Sequence, residues 1–293
     1  LSSHLSERAE IGVVGGTGIY NAADIENARE VVIDTPYGKP SGPYVLGRWA
    51  GRDVAFLARH GIGHTLLPTE INFRANIFGF KLLGVSRIVS ASAVGSLSEE
   101  IHPMDVVLPD QFFDRTRLRP LTFFGEGIVA HVSMAEPMCP EVRRSLAAAC
   151  GPAGASAHTS GGTYVCIEGP QFSTRAESEF FRSLKASVIG MTNLPEARLA
   201  REAEICYATL ALVTDYDCWH VSEEAVSVEA VIEFLRRNAE TARAVIAGSI
   251  AGMPAGRSCP CSSALEGAIL TNPSSISAET RNRLRPITGK YLS

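Results

Sequence analysis

The sequence predicts a single α/β domain, on three observations. Short apolar runs rich in β-branched residues recur through the first 215 residues, helix-like stretches alternate with them, and neither an internal repeat nor a low-complexity linker divides the first 250 residues. The strand-like runs are Ile11 to Val14, Val54 to Leu57, Arg87 to Ala91, Asp105 to Leu108, Val188 to Met191 and Leu210 to Thr214. Helices are expected over Glu70 to Leu83, Pro140 to Ala149, Arg175 to Leu184, Pro195 to Tyr207 and Ser227 to Ala247. In the last of these Val228, Val231, Ile232, Leu235, Ala239, Ala242 and Ile246 recur at helical spacing and make one apolar face. From Gly252 to Ser277 the chain turns rich in Gly, Pro, Ser and Ala, before a short helix-like piece over Ala278 to Leu284. This tail has too little apolar content to fold alone, so it is expected to pack on the body or on a neighbouring subunit.

With 293 residues, 45% hydrophobic and 20% charged, the chain can bury a sizeable core. The net charge is −4, and no lysine or arginine block is long enough to follow a phosphodiester backbone, which argues against nucleic acid as a partner. The longest apolar runs, such as Ala208 to Val213, fall far short of the roughly 20 residues that span a bilayer. Leu1 to Glu10 lacks the apolar core of a secretory signal, so a cytoplasmic location is expected. Only Lys39, Lys81, Lys185 and Lys290 are lysines, and only Gln111 and Gln171 are glutamines. With seven cysteines, that skew fits a heat-adapted source; codon bias explains it equally well.

Six segments carry candidate chemistry. Gly15-Gly16-Thr17-Gly18 follows the first strand, where adjacent glycines let backbone N–H groups converge on an anion and Thr17 adds a hydroxyl. The spacing also imitates a dinucleotide-binding turn, but the polar stretch from Ile19 to Asp34 lacks the apolar helix that such a turn opens. A plain tight turn is the other alternative. Arg59-His60-Gly61 ends the second strand, and a guanidinium fork beside an imidazole makes a compact phosphate clamp or, equally, a surface turn. In Ser90 to Ser96 a buried strand runs into small hydroxyl residues and glycine, suited to an oxyanion or merely to a tight strand end.

Glu168 to Ser173 offers Phe172 to stack on a flat ring and Ser173 to hydrogen-bond, though Ser-Thr-Arg-Ala-Glu is also an ordinary helix start. Gly190-Met191-Thr192-Asn193 adds a further hydroxyl. Thr214-Asp215-Tyr216-Asp217-Cys218-Trp219 follows the most hydrophobic strand. Asp215 and Asp217 point the same way if extended, and two such carboxylates at a strand end can hold each other's pKa apart. No third or fourth oxygen ligand in an EF-hand pattern lies near them, whereas an N-cap role for one of them stays open.

Taken in order, these pieces resemble the trimeric purine nucleoside phosphorylases, and within them the branch that cleaves 5'-methylthioadenosine. The match runs from Gly12 to about Ala247 through GVVGGTGIY, ARHG, ASAVGSL, EEIHPMDVVLPDQFFDRT, AEPMCP, IEGPQFSTRAES, GMTNLPEA and ATLALVTDYDCW. The resemblance implies one catalytic domain over residues 8–250 built on a mixed, twisted sheet flanked by helices, with a tail over 251–293. It implies phosphorolysis of methylthioadenosine to adenine and 5-methylthioribose 1-phosphate, with phosphate as co-substrate and no cofactor. Thr17, Arg59, His60, Ser92, the Ala93 backbone and Thr192 would bind phosphate. Phe172, Ser173, Asp215 and Asp217 would hold the base, and Met191 would lie against the ribose.

An oxocarbenium-like ribosyl cation needs an anionic nucleophile on one face and a protonated purine leaving from the other. Asp215, if protonated, would donate to N7, and Asp217 would accept from the 6-amino group. Members acting on 6-oxopurines carry Asn where this chain has Asp215, so the aspartate points to adenine. Val228, Val231 and Ile232, with His131 at the edge, match the apolar pocket for the 5'-methylthio group, although helix core accounts for the first three as well. Ser92 stands where human-like members have threonine. The tail looks more like that of archaeal members, which points to a homotrimer or a dimer of trimers. By the same analogy Cys139 would pair with Cys206 and Cys259 with Cys261 as disulfides, with loose thiols as the alternative. No metal is expected, because Cys259-Pro260-Cys261 is short and lacks histidine partners.

Overall fold

The computed structural model describes residues 7–16, 18, 19, 24–220 and 228–292, without the side chains of residues 228–231, 233–235 and 237. The described strands are β1 (Ile11–Gly15), β2 (Glu26–Val31), β3 (Tyr44–Trp49), β4 (Arg52–Ala58), β5 (Arg87–Ser96), β6 (Val106–Val107), β7 (Gln111–Arg115), β8 (Ala157–His158), β9 (Thr163–Ile167), β10 (Val188–Gly190) and β11 (Cys206–Asp215). The helices are α1 (Phe73–Leu82), α2 (Pro140–Cys150), α3 (Arg175–Ser183), α4 (Asn193–Glu202), α5 (Val228–Gly252) and α6 (Ala278–Thr288).

All strands join one mixed sheet in the order β2-β3-β4-β1-β5-β10-β9-β7, with β11 on the other edge of β5 and β6 and β8 beyond it. The mixed α/β architecture is the one the sequence predicts. β5 is the pivot. Its first half pairs in parallel with β1 as far as Val14↔Ser90, and its end pairs antiparallel with β10 from Gly95↔Ile189. Over Ala91 to Val94 it has left β1 and not yet met β10, while β11 runs beside it throughout. An opening of this kind, at the carboxyl ends of parallel strands where the sheet changes partner, is where α/β sheets bind ligands.

The fully buried strands were legible because burial on both faces demands unbroken apolar runs. β11 is buried from Cys206 to Thr214. The helix expected over Pro195 to Tyr207 stops at Glu202, because Cys206 and Tyr207 are drawn into the sheet opposite Arg87 and Ile88. β2, which reads Glu-Asn-Ala-Arg-Glu-Val, is an exposed edge strand whose polarity hid it. Thr174 and Glu177 form a reciprocal capping box on α3, as the Ser-Thr-Arg-Ala-Glu run suggests.

Two large apolar clusters pack on the sheet, with a smaller one around Phe181, Ile189 and Trp219. Leu265, Ile276, Leu284 and Ile287 from the tail share the first with Phe78, Phe80 and Leu199, and Cys259 and Cys261 join the second beside Cys139 and Cys206. Among the described residues no helix is long and apolar enough to cross a membrane.

Candidate active site

The carboxyl ends of β4, β1, β5 and β11 lie side by side. A cavity of about 200 Å³ opens there, lined by Gly15, Gly16, Ala58, His60, Gly61 and His64 among others. A larger hollow of about 390 Å³ between α2 and α5 is lined by small residues such as Ala149 and Gly248, and Ser145, the polar side chain in its lining, spends its hydroxyl on the Glu141 carbonyl. The smaller cavity, at the strand ends, brings two imidazoles against the glycine loop. Gly15 and Gly16 are in place there; Thr17 lies outside the described residues.

Arg59 does not offer its fork to the cavity as expected. It is 1% exposed, and its Nε and Nη2 donate to Glu196 Oε2 and Oε1 at 2.8 and 3.0 Å. Nη2 also donates to Ser90 Oγ at 2.6 Å, and Nη1 to the Ala91 carbonyl at 2.9 Å. Burial alone would lower the pKa of this guanidinium, but the carboxylate beside it reverses the direction and keeps it charged. Glu196 also accepts from Ser90 Oγ and Tyr207 Oη, while Asn193 donates to Ser90 Oγ and to Tyr207 Oη. The network is buried and ties β4, β5, α4 and β11 together under the site. A sequence search for cations marks Arg59, but the acid that consumes it lies 137 residues away inside the Asn-Leu-Pro-Glu-Ala run.

His60 lines the cavity, and its Nδ1 lies 2.9 Å from the Leu66 carbonyl, which can only accept. The proton is therefore assigned to Nδ1, leaving Nε2 as an acceptor. Burial lowers the His60 pKa to about 4, so the ring is neutral at pH 7. The expectation that His60 donates to an anion gives way to one in which it accepts, from a phosphate O–H or a sugar hydroxyl. Its ring stacks on His64 at 4.2 Å.

Ser92 and Thr192, 100 residues apart, meet with hydroxyl oxygens at 3.2 Å, and Ser92 Oγ is also 3.1 Å from Tyr164 Oη. Both are buried and sit at the β5 opening and at the start of α4, beside the partly buried Ala93. Helix N-termini with free N–H groups favour anions. A Cβ at Gly190 would collide with Tyr164 Oη, so glycine there lets the tyrosine reach Ser92.

At the other end a bulge between Val213 and Asp215 sets Asp215 opposite Gly95. A Cβ on Gly95 would lie 2.9 Å from Asp215 Oδ1 and 3.3 Å from the Asp217 Cβ, so only glycine admits this carboxylate pair. The chain does not stay extended beyond Asp215. Asp217 adopts φ 52°, and its N–H donates back to Asp215 Oδ1 at 2.8 Å, while Thr214 Oγ1 donates to Oδ2 at 2.6 Å. Burial raises the Asp217 pKa, with Ser178, the Cys218 N–H and Ser173 partly offsetting it. Asp217 Oδ2, Ser173 Oγ and Ser178 Oγ are buried without a well-formed hydrogen bond among the described residues, and such groups call for a polar partner. Cys218 Sγ donates to the Ser173 carbonyl at 3.2 Å and Trp219 Nε1 to the Ser96 carbonyl at 2.8 Å, which fixes the aspartate turn against Phe172-Ser173 on one side and β5 on the other. Phe172 remains 45% exposed, its ring available for stacking.

Met191 is half-buried between these two ends, its carbonyl accepting from Arg119 Nη1 at 2.6 Å. Arg119, 5% exposed, also binds Glu168 and the Leu194 carbonyl, and so locks two of the predicted segments together. Its position inside a loop gave no sequence signal. Ile232 is 59% exposed on α5, and the side chains of Val228 and Val231 lie outside the described residues. His131 is exposed and its N–H donates to the Ala268 carbonyl, so within one chain the tail holds it.

A sequence profile described as the phosphorylase superfamily matches residues 10–251. The S-methyl-5'-thioadenosine phosphorylase of Koribacter versatilis is 57% identical over 285 residues, covering 97% of each chain, and that of Geobacter sulfurreducens is 53% identical, covering 96% of this chain and 99% of its own. Among solved structures, a methylthioadenosine phosphorylase from an antarctic soil metagenomic library superposes with a TM-score of 0.91 at 51% identity, covering 96% of this chain and 99% of that one. The methylthioadenosine phosphorylase from Schistosoma mansoni in complex with adenine superposes with a TM-score of 0.84 at 32% identity, covering 89% and 99%. With these likenesses spanning almost the whole chain, and the strand-end site in place, the chain belongs to the phosphorylase superfamily, in its methylthioadenosine phosphorylase branch.

Proposed function

We propose that this chain catalyses phosphorolysis of 5'-methylthioadenosine to adenine and 5-methylthioribose 1-phosphate, a pentosyl transfer to phosphate in purine and methionine salvage. The observation that carries the reading is the pair Asp215–Asp217, folded back on itself at the strand end beside the buried hydroxyls of Ser173 and Ser178. Adenine presents what this pair can hold: an N7 that needs a proton as the bond to ribose breaks, and a 6-amino group that donates. Asp215, whose two oxygens accept from Thr214 Oγ1 and the Asp217 N–H, and Asp217, whose pKa burial raises, share these two tasks.

Phosphate would bind at the opposite end, to the backbone amides around Gly15, Gly16 and Ala93, with the Ser92 and Thr192 hydroxyls and, from the sequence, Thr17 as donors and His60 Nε2 accepting a phosphate proton. Arg59 acts mainly by holding Ser90, Ala91 and Glu196 in place. Met191 faces the ribose. Phe172 would stack on the base, and the family resemblance assigns Val228, Val231 and Ile232, with His131, to the 5'-methylthio group. An apolar pocket rejects a hydroxyl by only about 1–3 kcal/mol, so adenosine is a slower second substrate. The exposure of Ile232 and His131 in one chain fits a homotrimer or a dimer of trimers that covers them, in the cytoplasm.

Adenine release from methylthioadenosine, adenosine and inosine, with and without phosphate, tests the reading. Phosphate-dependent release, fastest from methylthioadenosine, is expected. Release without phosphate would make the chain a nucleosidase, and a preference for inosine would overturn the substrate assignment.

A further inference from the structure

At the far end of β11 from the aspartates, four cysteines from three separate parts of the chain meet. Cys139 is the N-cap residue of α2, Cys206 is the first residue of β11, and Cys259 and Cys261 flank Pro260 where the tail leaves α5. All four are buried, and their sulfurs lie within 4.8 Å of one another. None is joined in a disulfide, and Cys206 Sγ stands 3.3 Å from Cys259 Sγ, across the two pairs that the family resemblance implies. We propose that Cys139, Cys206, Cys259 and Cys261 form a tetrathiolate site for one Zn²⁺ ion that clamps the C-terminal tail onto the β11–α2 corner.

The geometry suits a single ion. Four sulfurs at zinc–sulfur bond lengths of about 2.3 Å form a tetrahedron with edges of about 3.8 Å, and the four present lie within 4.8 Å of one another, one pair at 3.3 Å. Sulfurs so close together do not leave room for a multi-iron cluster between them. Two disulfides would instead sort the four into two bonded pairs of about 2 Å. Binding replaces four S–H protons by one divalent ion, leaving a net charge of −2 on the site. Two features offset that charge. Cys139 sits at a helix N-terminus, and the Arg201 guanidinium, 9% exposed, donates to Cys261 Sγ at 3.8 Å. A closed four-sulfur set leaves no open position for substrate, so the ion is structural. The nine residue steps along β11 from Cys206 to Asp215 put it about 30 Å from the reacting atoms. The short Cys-Pro-Cys run looked deficient as a metal motif because its partners come from remote segments.

The full-length chain, expressed in zinc-containing medium and purified without chelator, is assayed for metal by mass spectrometry and for thiols after denaturation. About one zinc per chain, with all seven cysteines titratable once a chelator is added, is expected. Three titratable thiols and no metal would show two disulfides and overturn the proposal, and seven thiols with no metal, even after incubation with zinc, would reduce the cluster to packing. A double variant, Cys259→Ala with Cys261→Ala, should lose the zinc and melt roughly 10 °C lower while retaining phosphorolysis within about twofold at 25 °C. Should that variant not fold, cobalt(II) added to the chelator-treated wild type decides the matter: intense ligand-field bands of a tetrahedral thiolate site are expected, and weak octahedral bands would count against the site.

Discussion

Arg59 and Glu196 meet in a two-point ion pair, Nε to Oε2 at 2.8 Å and Nη2 to Oε1 at 3.0 Å, with both side chains almost wholly out of solvent. A buried pair of this kind is weak support for stability in itself, since burying both charges costs about as much as their attraction returns. Removing one partner is different, because it strands the other charge. Glu196→Ala should therefore destabilise the fold by about 3–5 kcal/mol, read as a lower denaturant midpoint at unchanged slope. A midpoint within error of wild type would show that Arg59 had found another counter-charge.

The aspartate pair separates function from stability. Burial raises the Asp217 pKa, so the fold favours the protonated carboxyl, and the ionised form imposes a cost that grows as pH rises through the folded-state pKa. Asp217→Asn removes the charge and should leave the protein as stable as wild type or more so at pH 8. It should also cut kcat on methylthioadenosine by about 10²–10⁴, the usual worth of a positioned acid–base group. Loss of stability with full activity would invert the assignment. Asp215→Asn should likewise cut methylthioadenosine cleavage strongly and shift relative preference toward 6-oxopurine nucleosides; unchanged selectivity in a comparison of kcat/KM on adenosine and inosine would tell against its contact with the base.

Gly95 gives the pair its room. A methyl there falls 2.9 Å from Asp215 Oδ1 and 3.2 Å from the Ile189 side chain, so the bulged end of β11 must yield. Gly95→Ala should lower kcat/KM by about 10²-fold, the scale of a 1 Å misplacement of reacting groups. Far-ultraviolet circular dichroism should stay unchanged, since Gly95 lies at the strand end. An unimpaired enzyme would mean that the carboxylates are not positioned by this contact.

What the sequence disclosed depended on the range of the interaction. β1, β4, β5 and β11 were legible because burial on both faces leaves an apolar run, and α3 because its cap is closed within four residues. β2 and β7, at the sheet edges, are polar or half-exposed and carry no such run. The site residues were found as segments, since Ser92, Thr192, Asp215 and Asp217 stand beside glycines or strand ends, but their states were not. The neutral His60 depends on the Leu66 carbonyl, the occupied Arg59 on Glu196, and the four-cysteine cluster on three segments that only the fold brings together.

His60 supplies a pH dependence of determinate sign. Its pKa is lowered by burial from 6.5 to about 4, so at pH 7 the ring is neutral in the folded chain and largely so in the unfolded one, and the shift costs little. As pH falls below about 6.5 the unfolded chain takes up a proton that the folded chain refuses, and stability drops until the folded ring also protonates near pH 4. A shift of this size corresponds to about 3 kcal/mol lost across that window. Many carboxylates titrate below pH 5, so the informative quantity is the difference between wild type and His60→Asn, whose side-chain amide can still donate to the Leu66 carbonyl but does not titrate. Between pH 6.5 and 4 the variant should lose less stability than wild type by about that amount, measured by denaturant midpoints at half-unit intervals. Parallel curves would show that His60 takes its proton as readily in the fold as outside it, and with that the imidazole would stand as a donor to phosphate rather than an acceptor.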